Sequence, residues 1–281
     1  MTDLSRRYQE LEGTVTSENG RCLFKSKVIQ NLSAKSAIKG PYSHLNSLLD
    51  FDANINPVQI ISPSSCKNEN IVFGIKSRPD AKSARKAIRE SWLGLELWKS
   101  FGYKIKIVFI IAKDVKKGQL KEELEMFDDI LLLDFTESFH HLVYKDIGYL
   151  HFLEEKCPNA ELIFKGEDDI LLVPQGLIHD LEQLKSEDNE FEAIGCRKPK
   201  ADVIRNPRSR YFLPEELFEN KFFAPYYAGA CYVTTGSFAM KMAKALSMTK
   251  VLPMDDVFAG ELIKNANLMY APDFLVQKYL F

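Results

Sequence analysis

The stretch Glu161-Leu162-Ile163-Phe164-Lys165-Gly166-Glu167-Asp168-Asp169-Ile170-Leu171-Leu172-Val173-Pro174 runs from an apolar segment straight into three acids. Short β-rich apolar runs bounded by turn residues are strands, so the acids close one. In an α/β sheet, ligands bind in the crevice beyond the carboxyl ends of the strands. If the backbone stays extended through the acids, alternate side chains share a face, and Glu167 and Asp169 point together while Asp168 points away. Two readings of the triplet stand open. One is a solvated acidic turn; the other is a set of hard oxygen ligands for Mn²⁺ or Mg²⁺, able to bridge a diphosphate.

Working outward, three further runs have the same texture: IVFGI at 71–75, KIKIVFII at 104–111 and DILLLDF at 129–135. Helical patterns separate them. Ile88, Trp92 and Leu95 recur at i, i+4 and i+7, as the buried stripe of an amphipathic helix does. His140 to Lys156 reads as another helix, ended by Cys157-Pro158-Asn159 because proline cannot continue the hydrogen-bond ladder. Strands alternating with helices predict an α/β domain with a mostly parallel central sheet flanked by helices. Residues 1–69 lack sustained periodicity and read as a stem-like or loosely attached N-terminal extension; residues 70–281 read as the α/β domain.

Composition removes several function classes. The chain has 281 residues, 37 basic against 39 acidic, and a formal net charge of −2. Without excess positive charge to neutralise a phosphate backbone, nucleic acid is not an expected partner. No stretch approaches the ~20 apolar residues that cross a bilayer, and no signal-peptide pattern opens the chain, which predicts a soluble protein. Cys22, Cys66, Cys157, Cys196 and Cys231 lack zinc-site spacing. They read either as buried thiols or as one or two disulfides with a thiol left over, in an oxidising lumen that the sequon Asn31-Leu32-Ser33 would also fit. Neither a GxGxxG fingerprint nor a Walker loop is present, which argues against other nucleotide-binding α/β enzymes.

Several segments, in order, resemble one known family. Arg85-Lys86-Ala87-Ile88-Arg89-Glu90-Ser91-Trp92 is similar to the basic helix of the β1,3-galactosyl- and β1,3-N-acetylglucosaminyltransferases, glycosyltransferase family 31. Asp129-Ile130-Leu131 through Asp134-Phe135, Glu137-Ser138-Phe139 and the following Lys145 resemble that family's strand, acidic-aromatic turn and helix lysine. The Lys165–Asp169 run stands where the family has an aspartate triad. Pro225-Tyr226-Tyr227-Ala228-Gly229-Ala230-Cys231-Tyr232-Val233 is similar to its glycine-rich strand, and Asp255-Asp256-Val257-Phe258-Ala259-Gly260 to its late acidic motif.

This resemblance implies a GT-A-like nucleotide-diphospho-sugar transferase fold and an inverting hexosyltransferase. Such an enzyme moves galactose or N-acetylglucosamine from UDP-Gal or UDP-GlcNAc to a sugar 3-hydroxyl of a glycan acceptor, with Mn²⁺ or Mg²⁺ as cofactor. It places Asp169 and Glu167 on the metal, and Arg85, Arg89, Lys165 and Asp168 on the donor. Asp256 becomes the general base, with Asp255 as its neighbour or substitute. Residue by residue, plainer readings stay open: Arg85 and Arg89 as a solvated basic face, Trp92 as core, and Asp255 and Asp256 as helix caps. The family is resident in the Golgi and membrane-anchored, but no anchor is visible in this chain.

The chain departs from the family pattern at three points. Glu167 stands where aspartate is usual. Tyr227 stands where many members carry cysteine, so the family's disulfide is not carried over to Cys157. Phe281 falls soon after the late acidic helix, which implies truncation at the carboxyl end. A catalytically silent protein that binds a nucleotide sugar or glycan is the alternative these departures motivate.

Overall fold

The computed structural model describes residues 40–113, 120–185 and 192–270. Cys22, the Asn31 sequon and the carboxyl end of the chain lie outside them. Seven strands form one sheet in the order β1-β4-β3-β2-β5-β7-β6. Its centre is four parallel strands: β2 (Ile71–Lys76), β3 (Ile105–Lys113), β4 (Ile130–Thr136) and β5 (Leu162–Glu167). These are the four apolar runs of the sequence, and β2 is buried along its whole length, as a strand covered on both faces must be. Antiparallel strands complete both edges. β1 (Gln59–Ile61) joins β4 on one side, and β7 (Tyr226–Thr235) then β6 (Ala193–Lys198) follow β5 on the other.

Helices cover both faces. On one side, α2 (Lys82–Glu90) and α3 (Leu95–Ser100) pack Ile88, Trp92 and Trp98 on Phe73, Phe109 and Phe164. On the other, α5 (Leu142–Lys156), α7 (Gly236–Ala245) and α8 (Asp255–Asn265) pack on Val72, Val108, Leu131 and Ile163. Two shorter helices, α1 (Asn46–Leu49) and α4 (Lys121–Met126), and a longer one, α6 (Pro174–Lys185), complete the set.

The stripe of Ile88, Trp92 and Leu95 is not one helix. The chain leaves helical geometry at Ser91 (φ −118°, ψ −109°) and restarts after Gly94. The break lets both tryptophans enter the same core: Trp98 Nε1 donates to the Trp92 carbonyl at 2.8 Å, and both rings flank Phe73. Leu95 is left exposed. The helix expected from His140 begins as a single 3-10 turn, Phe139–His141, and continues as α5 to Lys156.

Residues ahead of β2 are packed as well. Leu45, Leu48 and Phe51 lie in the core with α5, and Cys66 is disulfide-bonded to Cys157 at the end of that helix. Cys196 and Cys231 are free thiols.

One close approach holds the sheet centre to α5. The Tyr149 ring lies flat against Gly74, and its hydroxyl donates to the carbonyls of Val72 and Phe164, both at 3.2 Å, so one side chain spans β2 and β5. A Cβ at Gly74 would stand 2.3 Å from that ring. Gly74→Ala is therefore expected to lower stability by about 1–3 kcal/mol through overpacking, measured as a shift in urea midpoint. Tyr149→Phe, which keeps the ring, should cost only about 1 kcal/mol.

Candidate active site

Lys76 and Glu167 are the last residues of β2 and β5, and the parallel register sets them side by side. β2 is apolar up to Lys76 and β5 up to Phe164, so the charged side chains Lys76, Lys165 and Glu167 appear towards the carboxyl ends of the strands. Lys76 is 1% exposed and Lys165 3% exposed, and each has found carboxylates. Lys76 Nζ lies 2.7 Å from Glu167 Oε1 and 3.8 Å from Asp146 Oδ1, and it also pairs with Asp255. Lys165 Nζ lies 3.1 Å from Asp146 Oδ2 and 3.1 Å from Asp255 Oδ2. Asp146 comes from α5 and Asp255 is the first residue of α8, so two strands and two helices meet in one ionic cluster.

Burial opposes the charge on both lysines, but Asp146 and Asp255 outweigh it and hold the ammonium groups protonated. Burial likewise acts against the Asp255 carboxylate. Lys76 and Lys165 overcome that effect and hold it far below the usual carboxylate range. Asp256 behaves in the opposite sense: burial first, then the negative charge of Asp255, push its carboxyl up. Two adjacent aspartates are thus driven apart in proton affinity, the pattern that separates a fixed anion from a group able to take a proton.

Both aspartates occupy the first turn of α8, where negative charge is favoured by the helix dipole. The N-cap position is Met254, with no side-chain cap bond, and Asp256, the second residue of the helix, accepts the backbone N–H of its neighbour Val257 on Oδ1 at 2.8 Å. Gly229 of β7 runs alongside. A Cβ there would lie 3.8 Å from Asp255 Oδ2 and 3.9 Å from Asp256 Cβ, so the backbone passes close to both acids.

The acidic triplet does not stay extended. β5 ends at Glu167, and Asp168 and Asp169 form a turn. Glu167 points into the cluster, where burial pushes its carboxyl up against the pull of Lys76 and Lys165. Asp169 is exposed, and Asp168 keeps a buried Oδ2 with no hydrogen-bond partner.

Arg85 and Arg89 are neither a solvated face nor open to the crevice. Arg85 is 0% exposed, and its five N–H groups are directed at Glu123, Ser77 and the carbonyls of Arg78 and Pro79. Arg89 bridges Glu123 and Asp129 and lies over the Phe109 and Phe127 rings. The two guanidiniums do act as a pair, on Glu123.

Two residues of the cluster, Lys76 and Asp146, were not identified from sequence. Their one signal is a charge at the end of a wholly apolar strand, or within a helix that is buried on most of its surface. Lys145 lies beside them. Its ammonium donates to Glu137 at 2.8 Å and to the Ser77 carbonyl at 2.9 Å.

A family model described as galactosyltransferase matches residues 83–272. The rat UDP-GlcNAc:betaGal beta-1,3-N-acetylglucosaminyltransferase 7 is 29% identical over 215 residues, covering 73% of this chain and 53% of its own. The Xenopus tropicalis lactosylceramide 1,3-N-acetyl-beta-D-glucosaminyltransferase is 31% identical over 206 residues, covering 69% and 54%. The chain thus spans about half the length of the curated relatives it matches. Among solved structures, a mannosyltransferase from Pyrobaculum calidifontis in complex with GDP-Man and Mn²⁺ aligns with a TM-score of 0.42 at 13% identity, over 78% of this chain and 59% of that one.

The arginine network generates a test of stability. Burial opposes the Glu123 charge, yet its bonds to Arg85 and Arg89 hold its pKa below the usual carboxylate range. A depressed folded-state pKa gives stability that is complete above the unfolded value, about 4.3, and is lost as pH falls through the folded one. Glu123→Gln is expected to cost roughly 3 kcal/mol at neutral pH, because it strips a buried charge from two arginines. In denaturant titrations the gap from the unsubstituted protein should narrow as pH drops below about 4.

Proposed function

We propose that this chain, which belongs to the galactosyltransferase family, contains the catalytic domain of an inverting, UDP-sugar-dependent β1,3-hexosyltransferase. We read the domain as beginning near residue 45, a start supported by the burial of Leu45, Leu48 and Phe51 in its core. Residues before that are read as a stem. N-acetylglucosamine is the favoured donor sugar and a terminal β-galactoside the favoured acceptor, since both appear in the name of the rat relative. A glycan or glycolipid of the Golgi lumen is the corresponding setting; among the described residues no helix is long and apolar enough to cross a membrane.

The observation that carries this reading is the split between Asp255 and Asp256. Asp255 is committed to two lysines, which leaves Asp256, with its raised proton affinity, as the group able to accept the acceptor's 3-hydroxyl proton. As that proton moves to the Asp256 carboxylate, the hydroxyl oxygen bonds to the anomeric carbon. The bond from that carbon to the diphosphate oxygen breaks on the opposite face, and its electron pair leaves with the UDP. The configuration inverts in one displacement, and an α-linked donor gives a β-linked product.

The residues present also fit a divalent ion. Among the described residues no three acid, His or Cys side chains converge on a metal position. Mg²⁺-type sites are often completed by substrate phosphates around only one or two carboxylates, and Asp168, with its unpartnered oxygen, and Asp169 supply two such donors. Glu167, assigned to the metal from sequence, is taken instead as the anchor of Lys76. When bound, the ion neutralises charge on the leaving diphosphate. Such neutralisation is needed here because the cluster sets three carboxylates against two ammonium groups and so cannot attract a diphosphate by itself.

The deciding experiment incubates purified protein with UDP-GlcNAc or UDP-Gal, Mn²⁺ and lactose. A β1,3-linked trisaccharide is expected, its formation abolished by EDTA and restored by Mn²⁺; donor binding without any product would leave only a silent binder. Asp256→Asn should lower transfer by about 10²-fold or more. The change in stability should stay within about 1 kcal/mol, since the asparagine side-chain carbonyl can still accept the Val257 backbone N–H. Asp255→Asn should reduce stability markedly more, by leaving two buried ammonium groups short of a partner.

The pH profile follows from the same pair. A base must be unprotonated, so transfer rises with pH through the raised pKa of Asp256, above the usual aspartate value of about 3.9. In whatever activity Asp255→Asn retains, this acid limb should move to lower pH, because the neighbouring negative charge is gone.

A further inference from the structure

β6 forms one edge of the sheet and is hydrogen-bonded to β7. Their antiparallel register runs Ala193 to Thr234, Ile194 to Val233 and Gly195 to Tyr232, one residue per step on each strand. Carried one step further, it sets Cys196 opposite Cys231. The register shifts here: Arg197 next meets Tyr227, so β6 advances two residues from Gly195 while β7 advances five from Tyr232. On its other side Cys231 pairs with Gly166 of β5, in unbroken register with the Lys165–Tyr232 and Phe164–Val233 pairs, so its place in the sheet is fixed.

Side chains alternate along a strand, so Cys196 shares a face with Ile194 and Cys231 shares one with Val233. Ile194 and Val233 enter one core together with Phe73 and Phe164, and Cys231 packs against that same core. The two thiols therefore lie on the same side of the sheet. Both are half-buried and neither is held in a disulfide. Directly opposed residues of an antiparallel pair have Cα atoms about 4.5–5.5 Å apart, inside the range of about 4.4–6.8 Å that a disulfide spans. Burial, and after it the neighbouring Cys196, push the Cys231 thiol up to about 11, as a second sulfur at short range would.

We infer that Cys196 and Cys231 form a dithiol modification site, which exchange with a small disulfide such as oxidised glutathione closes into a cross-strand bond, latching the edge strand β6 to β7. The chain already pairs Cys66 with Cys157, and such bonds persist in oxidising surroundings, where an oxidant of this class is present. In the first step the Cys196 thiolate attacks one sulfur of oxidised glutathione, whose S–S bond breaks and releases one glutathione thiolate. The Cys231 thiol then gives its proton to solvent, and its sulfur attacks Cys196 and expels the second glutathione thiolate. Two protein thiols are oxidised and one small disulfide is reduced to two thiols. The latch is independent of whether the chain transfers a sugar.

The test equilibrates the full chain carrying Cys22→Ser with oxidised glutathione. Both remaining thiols should be lost to titration, with a fall in mass of two hydrogens, no glutathione retained, and a peptide joining Cys196 to Cys231. Backbone amides of β6 should then exchange with deuterium about tenfold or more slowly than in the reduced protein, and the urea midpoint should rise. Cys231→Ser should stop at one glutathione on Cys196, with β6 unprotected. Peptide mapping of the unsubstituted chain should find the same Cys196–Cys231 link. Thiols that survive equilibration, a retained glutathione, a link between chains, or Cys22 joined to either thiol would overturn the site. An oxidised form whose β6 amides exchange as fast as before would overturn the latch, as would equal protection in Cys231→Ser.

Discussion

Setting two buried ammonium groups among three carboxylates at the ends of two central strands is the constraint around which this molecule is built. An unpaired ammonium group would be unacceptable at such burial. Here the charges offset one another, and the geometry is demanding: β2 supplies Lys76, β5 supplies Lys165 and Glu167, α5 supplies Asp146 and α8 supplies Asp255. Strand register, the packing of α5 on the sheet and the seating of α8 must therefore be correct at once. The Tyr149 bridge across Gly74 sets the first two of these. The close passage of Gly260 beside the Pro225 carbonyl and Tyr226 sets the third.

The cluster also explains why neighbouring acids have different characters. Asp256 sits in the first turn of α8 and accepts the Val257 backbone N–H. Because Lys76 and Lys165 hold Asp255 ionised, a proton arriving at the pair goes to Asp256. On the opposite face of the sheet, Arg85, Arg89, Glu123 and Asp129 form a second buried network that uses every donor of Arg85 internally. It ties α2 to the residues just after β2, to α4 and to Asp129 ahead of β4.

The four parallel strands were legible because strands buried on both faces must be apolar throughout, and few other segments of this chain are. The acid motifs were legible for the complementary reason: charges that terminate such strands stand out. What escaped was pairing over distance. Lys76 reads as the solvated end of a strand until Asp255, 179 residues later, is known to reach it. The resemblance places Arg85 and Arg89 on the donor; the acid that both bind, Glu123, lies 38 and 34 residues away and leaves no local mark. The break at Ser91 was hidden because its cause, two tryptophans entering one core pocket, is tertiary.

The sequence separation between Lys76 and Asp255 bears on how the chain is assembled as it is synthesised. Domains condense from the amino-terminal side as the chain emerges, yet the sheet made by β2 to β5 contains two lysines whose shared acid belongs to the last described helix. Until α8 has emerged and docked, those lysines keep only Asp146 and Glu167. The centre of the sheet therefore retains water or stays open. Long-range contacts of this kind slow folding, so the pair that closes the ionic cluster also delays completion of the core until α8 is available.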